Sequence, residues 1–171
     1  FSRLKHEFEK VRLHIVGGVD DEEYYKECLE LIDYLKVDDI ITPGSVNIRS
    51  YLEKIDFTIL TSISEGQPFA VLESMAARRP VIATDVGCCR ELIEGDADDN
   101  FGLAGICVPP MHQTKLLQAL VQMCNDEAGR KNMGIAGQQR VKSYYEIGNV
   151  INQYLNVYEK AVSIWQGSVS N

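Results

Sequence analysis

The chain has no basic excess: 17 Lys and Arg face 25 Asp and Glu, for a formal net charge of -8. A broad grip on nucleic acid or an anionic membrane needs a basic face, so neither partner is expected. An anionic ligand would have to be held by local amides and a few cations. No apolar run is long enough to span a bilayer, and Phe1 opens no signal-peptide pattern, so no membrane insertion is expected. The five cysteines are odd in number and lack CxxC spacing. That excludes a disulfide framework and a zinc site, and it suits a reducing compartment, the cytoplasm. Cys28, Cys107 and Cys124 sit among apolar neighbours and are expected to be buried free thiols. His6, His14 and His112 are scattered and propose no metal set. Repeats, low-complexity tracts and linkers are absent. An initial Met is missing too: "FSRLKHEFEK" opens like the end of a helix, which suggests a piece cut from a longer protein.

What is present is a globular composition, 45% hydrophobic and 25% charged, in 171 residues, enough for one domain over residues 1–171. Apolar runs predict strands over 11–18, 39–46, 56–62, 80–86 and 104–110. Helical spacing fills the intervals, over 20–37, 47–55, 68–77 and 88–93, and from Gln113 to the end. Asp20 is the expected N-cap of the first long helix, which should bury Tyr24, Cys28, Leu31, Ile32 and Leu35. Leu116, Leu120, Met123 and Cys124 form one later stripe, and Tyr154, Val157, Tyr158 and Ala161 another. Alternating strands and helices predict an α/β fold, a Rossmann-like parallel sheet with helices on both faces. Ligands of such folds bind at the carboxyl ends of the strands. "VGG", "SISEGQP" and "DVGCC" all lie at such ends.

The stretch "SISEGQPFAVLESMAARRPVIATDVGCCRELI" places Glu65 before a helix and Glu73 in its second turn, with Gly66 and Pro68 at the corner. Pro68 suits the first turn, where no backbone N–H is needed. The free amides and dipole of a helix start can seat a phosphate. Gly66 lets the backbone approach a ligand. Carboxylates accept paired hydrogen bonds from vicinal hydroxyls. A phosphate flanked by diols is the composition of a nucleotide sugar. Spacing alone leaves a second reading open, in which both glutamates serve the helix dipole or a solvated face.

This stretch closely resembles the signature of retaining family 4 glycosyltransferases, an E-x7-E pattern followed by a small-residue helix and a "PV-ATDVG" strand. "SISE", "CRELI" and the acidic insertion "EGDADDNFGLAGICVPP" are similar to the PelF subgroup, associated with an exopolysaccharide. The likeness runs from about Val11 to Val162 and is highly specific over 61–93. It implies a GT-B architecture of two Rossmann-like domains, of which this chain is the C-terminal, donor-binding one. It further implies a donor that is a UDP-sugar, no metal and no cofactor, and an acceptor saccharide held by the domain not in this chain. Glu65 matches the glutamate beside the donor sugar, the catalytic position, and Glu73 matches the one that holds the ribose. Gly66, Gln67, Pro68 and Phe69 match the loop whose amides approach the sugar. Val71 and Leu72 match the helix start near diphosphate and ribose. Thr42, Pro43 and Gly44 match the border of the base, and Gly17 and Gly18 a loop facing the cleft. The basic residues that neutralise the leaving diphosphate match no position here, so the chain by itself is expected to be inactive.

Two departures stand out. "EGQPF" replaces an "EGFG"-like run, and "AARRP" stands where glycine is common, with Arg78 and Arg79 expected to face solvent. "IVGG" lacks the third glycine of a dinucleotide fingerprint and precedes four acids, against NAD. Cys88 and Cys89 begin a helix, a place that can lower a thiol pKa, or they simply fit a tight turn. Glu91 could reach the cleft or pack the turn after Gly87. "DADD" is expected to be a solvated acidic loop. A non-catalytic nucleotide-binding or interaction module, and an epimerase on the same architecture, remain the alternatives.

Overall fold

The computed structural model describes residues 1–96 and 99–169, and Ala97 and Asp98 of the acidic run lie outside them. Among the described residues, five short strands alternate with helices as expected, and eight α-helices form in all. The strands are β1 (Leu13–Val16), β2 (Ile40–Gly44), β3 (Thr58–Leu60), β4 (Val81–Thr84) and β5 (Gly105–Val108). The helices are α1 (Ser2–Lys5), α2 (Glu22–Leu35), α3 (Ile48–Leu52), α4 (Phe69–Ala76), α5 (Cys89–Glu94), α6 (Gln113–Asn125), α7 (Glu127–Arg140) and α8 (Ile147–Val169). All strand pairs are parallel, but they form two sheets, β1–β2 and β3–β4–β5. Among the described residues β1 pairs only with β2 and β3 only with β4. Each therefore keeps one hydrogen-bonding edge without a strand partner.

β4 is the centre of the larger sheet, and all four of its residues are buried. Its alternation divides the core. Val81 and Ala83 join Val71, Met75, Leu92, Ile93 and Ala104 on the face covered by α4 and α5. Ile82 joins Leu4, Val108, Leu120 and Met123 on the face covered by α1 and α6. Each of the Val, Ile, Leu and Met side chains among these contributes about 1.5–3 kcal/mol on leaving water, so β4 is the best anchored strand. The smaller sheet is thinly covered. Helix α2 buries no residue, and Tyr24, Leu31 and Leu35 of its expected buried face are exposed. Its N-cap is Asp21, whose carboxylate accepts from the Glu23 and Tyr24 amides, one residue later than the sequence suggested.

The C-terminal helical region resolves into α6, α7 and α8. Asp126 ends α6 and caps α7 through the Gly129 amide. A π-helical turn, Val141–Tyr145, then joins α7 to α8. Tyr154, Val157 and Tyr158 of α8 are all exposed. No described helix is long and apolar enough to cross a membrane. The cysteines are free, yet Cys28, Cys107 and Cys124 are only half-buried, and Cys89 is the buried one. Arg78 is exposed as expected, whereas Arg79 is half-buried and donates to the Glu53 carbonyl.

Asp96 of "DADD" is exposed as expected, but Asp99 departs from the solvated reading. Asp99 forms an ion pair with Arg140, and both side chains are 1% exposed. The guanidinium also donates to the carbonyls of Leu92, Ile93 and Gly102, so it staples the end of α5 to the strand-β5 approach. Hydrogen bonding from Arg140 holds the Asp99 carboxyl below its ordinary range. The stability this supplies is present above the ordinary carboxylate pKa and is lost as acid protonates the folded form. Arg140→Ala, which strands a buried carboxylate, should cost about 3–5 kcal/mol in urea unfolding at neutral pH. Asp99→Asn should flatten the loss of stability on acidification relative to the unaltered chain.

Candidate donor-binding site

The Glu65–Glu73 corner is built on the best anchored part of the fold. β3 runs into the loop 61–68, and α4 begins immediately after Pro68. Val71 and Met75 of α4 are fully buried in the core. The hydroxyls of Thr58 and Ser74 bond at 2.8 Å, tying β3 to α4. The helix therefore has little freedom to move relative to the strand. Pro68 is its N-cap, not a first-turn residue, and offers no side-chain acceptor to the first amides. Asp21, Asn47, His112 and Asp126 do cap α2, α3, α6 and α7 with side chains. The α4 start, like those of α1 and α5, has no side-chain cap.

The turn between β4 and α5 supports the loop from the side. Thr84, buried on β4, donates its hydroxyl to the Ser62 carbonyl. The Cys88 amide donates to the Gly66 carbonyl at 3.1 Å. Gly87 has φ +54°, and a Cβ there would stand 2.5 Å from the Gly66 carbonyl oxygen and closer still to that of Glu65. Only glycine permits this approach. The Ser62 hydroxyl in turn donates to Glu65 Oε1 at 2.7 Å. Sequence reasoning did not single out Ser62, Thr84 or Gly87. The available signals were the Ser-x-x-Glu spacing and a glycine at a strand-to-helix turn.

Glu65 is half-buried, whereas Glu73 lies exposed on α4. Gly66, Gln67 and Phe69 are exposed, Phe69 at 78% despite its apolar ring. Pro68 and Val71 are buried and Leu72 is half-buried, so Val71 can offer a ligand only its backbone. A second group forms at the ends of β1 and β2. The Gly17 amide donates to the Gly44 carbonyl at 3.1 Å, with φ +152° at Gly17 and +73° at Gly44. Gly18 lies against Ser45, and Thr42 and Pro43 are exposed beside it. Both groups occupy carboxyl ends of parallel strands, on separate sheets, and no hydrogen bond among the described residues joins them.

The electrostatics of the corner are acidic. Burial, followed by the Glu91 carboxylate, raises the Cys88 thiol, with Glu65 adding to the effect. Burial likewise raises Cys89. The helix start does not lower these thiols, because desolvation and the nearby carboxylates oppose it. Arg90 of α5 is engaged by Asp85 and Glu94. Among the described residues no cluster of His, Cys, Asp and Glu could hold a metal.

Residues 1–126 match the family described as glycosyl transferases group 1. The chain belongs to that family. A phosphatidyl-myo-inositol mannosyltransferase of Mycobacterium leprae is 27% identical over 158 residues, which are 89% of this chain and 38% of that protein. The fold agrees with a sucrose-phosphate synthase of Thermosynechococcus elongatus at TM-score 0.80 and 20% identity, over 95% of this chain and 41% of that one. HepE of Anabaena, solved in complex with UDP-glucose, agrees at TM-score 0.76 and 18% identity, over 88% and 41%. The chain spans less than half the length of these proteins. Gly87→Ala should displace the 61–68 loop and lower stability by about 1–3 kcal/mol, which thermal or urea unfolding would read directly.

Proposed function

We propose that this chain is the donor-binding half of a retaining, PelF-like hexosyltransferase acting in the cytoplasm on a UDP-linked sugar, in exopolysaccharide or glycoconjugate synthesis. The observation that carries the reading is the corner itself: two carboxylates bracketing a helix start without a side-chain cap, in a chain of the group 1 family. The amides of Gly66, Gln67 and Phe69 suit the sugar and diphosphate, and Val71 and Leu72 suit the diphosphate and ribose through their backbone. Glu73 accepts from the ribose hydroxyls. Gly17, Gly18, Pro43 and Gly44 border the base. HepE, solved with UDP-glucose, supports uridine as the nucleotide.

Transfer breaks the bond from the anomeric carbon to the diphosphate oxygen, and the electron pair leaves with UDP. An acceptor hydroxyl oxygen bonds to the same carbon on the same face and gives its proton to the departing diphosphate oxygen. Glu65 is the catalytic residue in this reading, its carboxylate stabilising positive charge on the transferring sugar. The acceptor saccharide and the cations that neutralise the diphosphate belong to parts of the enzyme other than this chain. The chain alone should therefore bind donor weakly and not turn over.

Calorimetry on the chain with UDP, UDP-glucose and ADP tests this. Uridine ligands should bind in preference to ADP, and Glu73→Ala should weaken them by about tenfold or more, as expected for a lost bond to a charged group. No response to UDP at millimolar concentration in either this chain or one extended upstream would overturn the assignment.

A further inference from the structure

Glu65 differs from Glu73 in how it is held. Among the described residues no ion pair and no second hydrogen bond engages the Glu65 carboxylate, so the Ser62 hydroxyl at 2.7 Å is its tether. That tether takes Oε1 and leaves Oε2 for another partner. Ser62 is itself fixed, because its carbonyl accepts from the hydroxyl of Thr84, 5% exposed on β4. Four residues along, the backbone of Gly66 is held by the Cys88 amide. The loop between these two anchors is short, and the one long rotor within it that carries charge is Glu65. A free glutamate in this position would sample several rotamers and lose entropy on meeting a ligand. A hydroxyl that donates to one oxygen selects among those rotamers without neutralising the charge, as a lysine or arginine would.

We propose that Ser62 is a positioning residue for Glu65, holding the carboxylate ready for the sugar of the donor and so favouring a sugar-bearing nucleotide over the bare one. The inference rests on the donor reading above for its ligand, but the ordering of Glu65 belongs to the free chain. Thr84 acts one step further back by holding Ser62. Glu73, on a different element, is outside this relay and serves the nucleotide alone.

The test compares the full chain with Ser62→Ala and Ser62→Thr, the latter restoring a hydroxyl. Without ligand, NMR three-bond couplings of Glu65 should show one χ1 rotamer in the unaltered chain and in Ser62→Thr, and averaging in Ser62→Ala. With ligand, the ratio of UDP-glucose to UDP affinity should fall about fivefold or more in Ser62→Ala, while UDP affinity changes less than about twofold. A hydrogen bond that merely stabilised the loop would lower the melting temperature, weaken both ligands alike and leave the ratio intact. That result, or unchanged couplings in Ser62→Ala, would overturn the proposal. Failure of any nucleotide to bind either the unaltered chain or one extended upstream would overturn the donor reading, and the couplings would then decide the Ser62 contact on their own.

Discussion

The Glu65 loop is carried by the turn that follows β4. Thr84 holds the Ser62 carbonyl, the Cys88 amide holds that of Gly66, and Gly87 lies so close beneath that no side chain fits. These contacts matter because β4 is buried on both faces, so its carboxyl end is the least movable place in the molecule. A loop pinned there inherits the rigidity of the core while its own tip stays open to solvent. The catalytic role proposed for Glu65 would need this combination, since a small displacement of a charge from its partner forfeits much of its effect.

The rest of the larger sheet extends the same support. Helix α4 cannot slide, with Val71 and Met75 buried and Ser74 bonded to Thr58. Helix α5 is locked at its end by Arg140, whose guanidinium gathers four backbone carbonyls and the Asp99 carboxylate, both charged side chains 1% exposed. Breaking that staple would loosen α5 and, through it, the turn at Gly87. By contrast β1–β2 and α2 are thinly packed, and the Gly17–Gly44 group rests on this softer part. A ligand touching both groups would couple a rigid half to a compliant one.

Much of this was legible in the residues. Apolar runs located the five described strands, although only β4 is buried along its whole length, as a parallel strand covered on both faces must be apolar on both. The site's outline came from the glutamate spacing and the resemblance around it. The pairing of strands was not legible: periodicity says that 11–18 and 56–62 are strands, but not whether they touch. The burial of α2 was overestimated for the same reason, since an apolar stripe needs a partner surface that the chain does not provide. Arg140 sits in "GQQRVKSYY" and Asp99 in "DADD", contexts that read as solvated. Only the fold, by bringing residues 41 apart into one buried pair, reveals them. The cap at Asp21 in place of Asp20 shows the usual ambiguity between adjacent acids, settled by which one adopts the extended cap conformation.

The central claim is that the corner after β3 receives the donor, and a map of amide chemical shifts during titration with UDP-glucose tests it most directly. The largest changes should fall on Gly66, Gln67, Phe69 and Glu73, with a second, smaller set at Gly17 and Gly44. Changes centred instead on α8, or on the cavity lined by Glu91, Tyr144, Tyr145 and Gln153, would place the ligand elsewhere and contradict the account.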